Sequence, residues 1–148
     1  MILKRTTSDN PDFQTLVALL DADLKIRDGE EHAFYAQYNK SATLNEVVVC
    51  YKNETAVGCG ALRVYEQQTV EIKRMFVLPE QRGKGIAQNI LKELETWATE
   101  LGYTQCILET GVNQPEAIGL YKKTAYTITP NYGPYKHMEN SICMVKTI

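Results

Sequence analysis

The stretch Val77-Leu78-Pro79-Glu80-Gln81-Arg82-Gly83-Lys84-Gly85-Ile86-Ala87 constrains this chain more than any other. Before it, Val70 to Leu78 has the β-branched and apolar character of a strand. After it, Ile86, Ile90, Leu91, Leu94, Trp97, Ala98 and Leu101 recur at helical spacing until Gly102 ends the run. No Ser, Thr, Asp or Asn stands between Glu80 and Gly85 to cap that helix. Its first backbone N–H groups therefore have no partner of their own. Gly83 and Gly85 let a ligand come close to the backbone. Arg82 and Lys84 add positive charge at the helix's positive end. A phosphate or diphosphate satisfies all of these features together. The P-loop pattern is absent, because no Gly-Lys-Ser/Thr occurs. The dinucleotide pattern fails as well, since Gln88 occupies the third glycine position and the loop follows a meander. The competing reading is a solvated turn that keeps its glycines for geometry alone.

The remaining segments read as one α/β domain over residues 1–148. Its expected sheet is mixed and mostly antiparallel, with six to seven strands flanked by about four helices. Met1 to Thr6 is a first strand, and Asn10-Pro11-Asp12 starts an amphipathic helix that Asp28-Gly29 closes. A second short helix runs from about Glu30 to Tyr38. Val47 to Tyr51, Ala56 to Val64 and Val70 to Leu78 form a meander, with turns at Lys52-Asn53-Glu54 and Glu66-Gln67-Gln68. Thr104 to Leu108 follows the main helix as a strand, which permits parallel pairing through a right-handed crossover. Pro115 to Lys123 is a short helix, and Tyr126 to Thr129 and Ser141 to Lys146 are closing strands.

Charge and composition remove several classes. The formal net charge is -2, against the basic excess of a nucleic-acid binder. The apolar runs are too short for a membrane span, and no signal-peptide pattern opens the chain, so a cytoplasmic protein is expected. The four cysteines are widely spaced among apolar neighbours and read as reduced, buried thiols. The two histidines lack metal-ligand spacing, so no metal is expected.

Arg82-x-x-Gly85-x-Ala87 resembles the Gln/Arg-x-x-Gly-x-Gly/Ala signature of the GNAT superfamily, the acetyl-CoA-dependent N-acetyltransferases. Further along, Gln114-Pro115-Glu116-Ala117-Ile118-Gly119-Leu120-Tyr121 resembles that family's Asn-x-x-Ala-x-x-Leu-Tyr stretch, and Ala125-Tyr126 its Gly-Phe/Tyr. Together the two motifs span Val70 to Tyr126 in the family's order. The resemblance implies acetyl-CoA as co-substrate. Arg82, Gly83, Lys84, Gly85, Ile86 and Ala87 would hold its diphosphate, and Met75, Phe76 and Val77 would pair with its pantetheine arm. It also implies a bulge in that strand, Val77 N–H as an oxyanion donor, Gln114 beside the coenzyme arm, and Tyr121 as the acid that protonates the leaving thiolate. Two positions depart from the pattern. Gln114 replaces Asn, and Ala125 replaces Gly, which suggests a slightly different turn.

The expected activity is acetyl transfer to the primary amine of a small molecule, amino-acid-like or otherwise, by direct attack in a ternary complex. A protein or peptide acceptor and a non-catalytic acyl-CoA sensor are the alternatives. Glu71 is the candidate base. It lies at even spacing from Val77, which in a regular strand puts both side chains on one face. Pairing with Lys73 and binding substrate are its alternative roles, and Glu109 is the rival carboxylate. Arg63, Lys73, Glu109 and Tyr135 are candidate acceptor contacts, with Arg74 expected to point away from Lys73. The loop Tyr132-Gly133-Pro134-Tyr135 either walls the acceptor site or packs as a surface turn. An exposed edge strand near the C-terminus leaves room for a homodimer.

Overall fold

A computed structural model of the chain describes residues 1–38 and 43–148. The strands are β1 (Ile2–Thr6), β2 (Glu46–Lys52), β3 (Thr55–Glu66), β4 (Thr69–Val77), β5 (Gln105–Gly111), β6 (Thr127–Thr129) and β7 (Ser141–Thr147). They form one sheet in the order β1-β2-β3-β4-β5-β7-β6. Every pairing is antiparallel except that of β4 with β5. The helices are α1 (Pro11–Asp28), α2 (His32–Tyr38), α3 (Ile86–Glu100) and α4 (Pro115–Lys123).

Local chemistry sets most of these boundaries. Asn10 Oδ1 accepts from Phe13 N at 3.0 Å and caps α1, with Pro11 at the first helical position. Asn53 and Glu54 both have positive φ, the requirement of a tight turn between β2 and β3. Gly102, at φ 94°, stops α3. The expected second helix divides into a 3-10 turn at Gly29–Glu31 and the short α2. β5 runs three residues past Leu108 to Gly111 because β7 pairs with it that far. Ala125 lies at φ 77°, the left-handed region that glycine favours. The turn thus keeps the glycine-type conformation without the glycine, which corrects the expectation of an altered turn.

Helices cover both faces of the sheet. Ile86, Ile90, Leu91 and Leu94 of α3 and Tyr121 of α4 pack on Val48, Leu62, Val70, Ile72, Leu108 and Met144. On the opposite face Phe13, Leu16, Val17 and Leu20 of α1 pack on Val47, Val49, Cys59, Ala61 and Phe76. Burying each large aliphatic side chain contributes roughly 1.5–3 kcal/mol. All four cysteines are buried and unpaired.

Two irregularities shape the site. The parallel pairing of β4 with β5 covers only Thr69–Glu71 against Gln105–Ile107, and beyond it the strands part. β4 also carries a bulge. Cys59 faces Phe76 and Ala61 faces Lys73, so Gly60 alone stands opposite Arg74 and Met75. Arg74 takes φ 59° there. A side chain at position 60 would put its Cβ 2.5 Å from Met75 Sδ and 2.9 Å from Leu94 Cδ1, so any larger residue opposite the bulge would have to displace both side chains.

Candidate active site

The bulge shifts the strand's alternation by one residue. Val70, Ile72 and Val77 join the core under α3, whereas Phe76 joins the core under α1. Glu71 and Val77 therefore lie on opposite faces, contrary to the parity of an unbroken strand. Arg74 is redirected too. Its Nη2 reaches Asp21 Oδ1 of α1 at 2.5 Å, so it points to the α1 face rather than away from it.

A cavity of about 440 Å³ opens where β4 and β5 part. Ile86, Ala87, Ala117, Leu120 and Tyr121 line it from the α3–α4 side. Leu20, Asp23, Leu24, Asp28 and Tyr35 line it from the α1–α2 side. Lys73 to Val77 and Glu109 to Gly111 supply its strand walls. The gap thus joins the two faces of the sheet, and two reactants can meet through it from opposite sides.

Most of the residues expected to hold the coenzyme gather along one part of the cavity. Met75, Phe76, Val77, Arg82, Gly83, Gly85, Ile86, Ala87 and Gln114 all line the cavity. Gly85 is the N-cap of α3 at φ 81°, without a side-chain cap, and Gly83 lies at φ 78°. A Cβ at either glycine would meet nothing within 4 Å. Open space, left-handed backbone and an uncapped helix start together fit a diphosphate. Leu78 N donates to Val57 O at 2.9 Å. Successive N–H groups of a strand alternate in direction, so Val77 N–H faces the gap. The two loop cations have other duties. Arg82 Nε donates to Val77 O at 2.9 Å, and its guanidinium lies over the Phe76 ring. Lys84 Nζ donates to Gln81 Oε1 at 3.3 Å and does not line the cavity.

At the acceptor end the carboxylates are rearranged. Glu71 is buried but is not part of the cavity wall, and Tyr132 Oη donates to its Oε2 at 2.5 Å. Glu109 does line the cavity. Burial pushes its carboxyl up to about 7, against the opposing pull of the Ser141 hydroxyl and the Lys73 ammonium. Tyr121 is buried on the same cavity and packs edge-on to Tyr126 with ring centroids 5.6 Å apart. Burial raises its phenol, and the Glu109 charge adds to the effect. Lys73 lines the cavity, and Tyr135 is buried behind it within an aromatic cluster with Tyr35 and Tyr38. Arg63 is exposed and lies off the cavity. Tyr132 and Tyr135 are packed among aromatic neighbours, and neither lines the cavity.

Sequence reasoning missed Tyr35, Asp28 and the Tyr132–Glu71 contact. The last joins residues with no shared motif, and nothing in the spacing signals it. Among the described residues, no helix is long and apolar enough to cross a membrane.

Comparison with known proteins agrees with this geometry. The model of the acetyltransferase (GNAT) family matches residues 13–126. The "IAA acetyltransferase" of Azospirillum brasilense is 37% identical over 102 residues, covering 68% of this chain and 67% of that protein. A solved structure from Klebsiella pneumoniae, assigned to the acyl-CoA N-acyltransferases, is 26% identical with a TM-score of 0.82, covering 99% of this chain and 96% of that one. A GNAT family acetyltransferase from Elizabethkingia anophelis, solved with acetyl-CoA bound, shares the fold at TM-score 0.71 and 20% identity, covering 99% of this chain and 97% of that one. The uncapped helix start, the parted strands and the matched segment lead to one assignment: the chain belongs to the acetyltransferase (GNAT) family and is an acyltransferase.

Proposed function

We propose that residues 1–148 form a single catalytic domain that moves an acetyl group from acetyl-CoA to the primary amine of a small molecule, by direct attack in a ternary complex. The observation that carries this reading is the cavity through the parted strands, with Glu109 and Tyr121 both on its wall. Acetyl-CoA supplies the activated acyl group as a thioester. The backbone of Gly83, Gly85, Ile86 and Ala87 would hold its diphosphate, and Met75 to Val77 and Gln114 would flank its arm.

The chain's own residues divide the remaining work. Glu109, with its carboxyl near 7, accepts the proton that the acceptor amine must lose. Val77 N–H, turned to the gap, is a donor for the carbonyl oxygen under attack. Tyr121 keeps its proton across the working pH range and is the donor for the departing sulfur. Glu71 supports this arrangement through Tyr132 rather than reacting itself.

A small acceptor fits a cavity of about 440 Å³ whose α1–α2 side is lined by Tyr35, Asp28 and Leu24. The name of the Azospirillum relative, an acetyltransferase matched over two thirds of its length, points the same way. A cytoplasmic setting accords with four unpaired, buried cysteines. The short edge strand β6 is where a homodimer would add a strand.

A thiol-release assay with acetyl-CoA and a panel of small amines and peptides tests the reading. Turnover on small amines supports it. Turnover on peptides alone moves the acceptor to protein. Acetyl-CoA binding without any turnover makes the chain a sensor.

A further inference from the structure

We propose that the acceptor carries a carboxylate as well as its amine, and that Lys73 selects it by holding that carboxylate while the amine faces Glu109. This rests on the small-amine reading above and narrows it to amino carboxylates, with amino acids as the simplest members.

Lys73 is only 8% exposed, yet it lines the cavity. Among the described residues it forms no ion pair. Its one hydrogen bond there is to Tyr135 Oη, at the long distance of 3.5 Å and to a neutral group. The neighbouring cations are engaged elsewhere, Arg74 with Asp21 at 2.5 Å and Arg82 with the Val77 carbonyl. Holding an ammonium out of water without a partner is costly. Burial accordingly lowers the Lys73 pKa, while Glu71 and Glu109 act to raise it. Neither Glu71 nor Glu109 comes within ion-pair distance of the Lys73 ammonium, and Glu71 takes its hydrogen bond from Tyr132 instead. Lys73 therefore brings unspent donors to the edge of a cavity whose neighbouring strand carries Glu109.

An amino carboxylate complements that pair, with its anionic end on Lys73 and its nitrogen at Glu109. A dianionic phosphate fits less well, because the single Lys73 ammonium would leave one of its charges uncompensated in a largely buried site. An amine lacking an acid group would leave the Lys73 ammonium as costly as before.

The test compares the common amino acids with their α-amides and their decarboxylated amines, by thiol release at saturating acetyl-CoA. The wild-type protein is expected to favour the acid of a matched set in kcat/KM by on the order of 10- to 100-fold, mostly through KM. Lys73→Met should bring the acid-to-amide ratio toward one, and Lys73→Arg should restore part of it. Acetyl-CoA affinity, read by calorimetry, should be the same in all three proteins, which a general loss of structure would not give. Should Lys73→Met fail to fold, the wild-type ratios decide alone. Amines turned over with no preference for the acid would overturn the Lys73 assignment and leave the small-amine function standing. Turnover on peptides only, with acetyl-CoA bound normally, would overturn both.

Discussion

Tyr132 Oη donates to Glu71 Oε2 at 2.5 Å, and this bond ties the loop before β7 to the middle of β4. A carboxylate so engaged, and absent from the cavity wall, is poorly placed to take a proton from an acceptor. Glu71→Gln keeps an oxygen that can accept from Tyr132, so its kcat should stay within a few-fold of wild type. Glu109→Gln removes the only carboxylate that β5 presents to the cavity, and kcat should fall on the order of 10²- to 10⁴-fold. Steady-state kinetics on the two variants side by side decide between the carboxylates. A larger loss in Glu71→Gln would return the base to β4.

The Glu109 carboxyl near 7 makes both activity and stability depend on pH. As a base it must be ionised, so kcat/KM should rise with pH and level off above about 7. Stability moves the other way. The folded side chain holds its proton up to about 7, whereas the ordinary value is 4.5. Between those values the native state binds more protons than the unfolded one, so the stability from burying the neutral acid is complete below 4.5 and lost as pH rises through 7. Glu109→Gln keeps a neutral group there. Its stability relative to wild type should grow between pH 4.5 and 8, by at most on the order of 3 kcal/mol. Urea unfolding of both proteins at the two ends of that range measures the difference. A constant difference would mean that Glu109 titrates normally.

Tyr121 is enclosed by the α3–α4 core with its phenol raised by burial, so it is protonated, as the role proposed for it requires. Tyr121→Phe preserves the ring and its edge-on contact with Tyr126 while removing the proton. We expect kcat to fall by on the order of 10²-fold with acetyl-CoA affinity nearly unchanged. An unaltered kcat would take Tyr121 out of the mechanism and leave it as packing.

The coenzyme end was far more legible in the sequence than the acceptor end. Gly83, Gly85 and the missing cap form a contiguous signal, because a helix start is made by residues next to one another in the chain. The helical spacing of Ile86 to Leu101 and the turn at Asn53-Glu54 are local in the same sense. The acceptor end depends on two events that no local pattern encodes. The bulge at Arg74 moves Glu71 and Val77 to opposite faces, and the sequence trace of that bulge is a glycine on the neighbouring strand, Gly60. The contacts Tyr132–Glu71 and Tyr35–Ser141 close over separations of 61 and 106 residues. Only the finished packing brings those side chains together.

Gly85 separates geometric need from ligand contact. At φ 81° with open space around a built Cβ, alanine there meets no clash but carries the strain of the left-handed region, about 1–2 kcal/mol. Gly85→Ala should lower thermal stability modestly. Gly85→Asp adds a negative charge where the diphosphate is expected and should abolish acetyl-CoA binding. Calorimetry with the folded Gly85→Asp protein is the check, and wild-type affinity would sink the diphosphate assignment.

Ala125 offers the reverse experiment. It stands at φ 77° in an exposed turn, just before the Tyr126 N–H that donates to Tyr121 O at 2.9 Å. Its methyl group is exposed and contributes little burial, so the left-handed conformation is paid for elsewhere in the fold. Glycine relieves about 1–2 kcal/mol of strain and gives back about 0.4–1 kcal/mol through the freer unfolded chain. Ala125→Gly should therefore stabilise the protein by roughly 0.5–1 kcal/mol, a rise in Tm of about 1–4 °C for a domain of this size. Because the same turn holds Tyr121 through its carbonyl, kcat should stay at the wild-type value if the turn is unchanged. A fall in Tm would mean that position 125 does not occupy the left-handed region in solution, and the path from α4 to β6 would need revision.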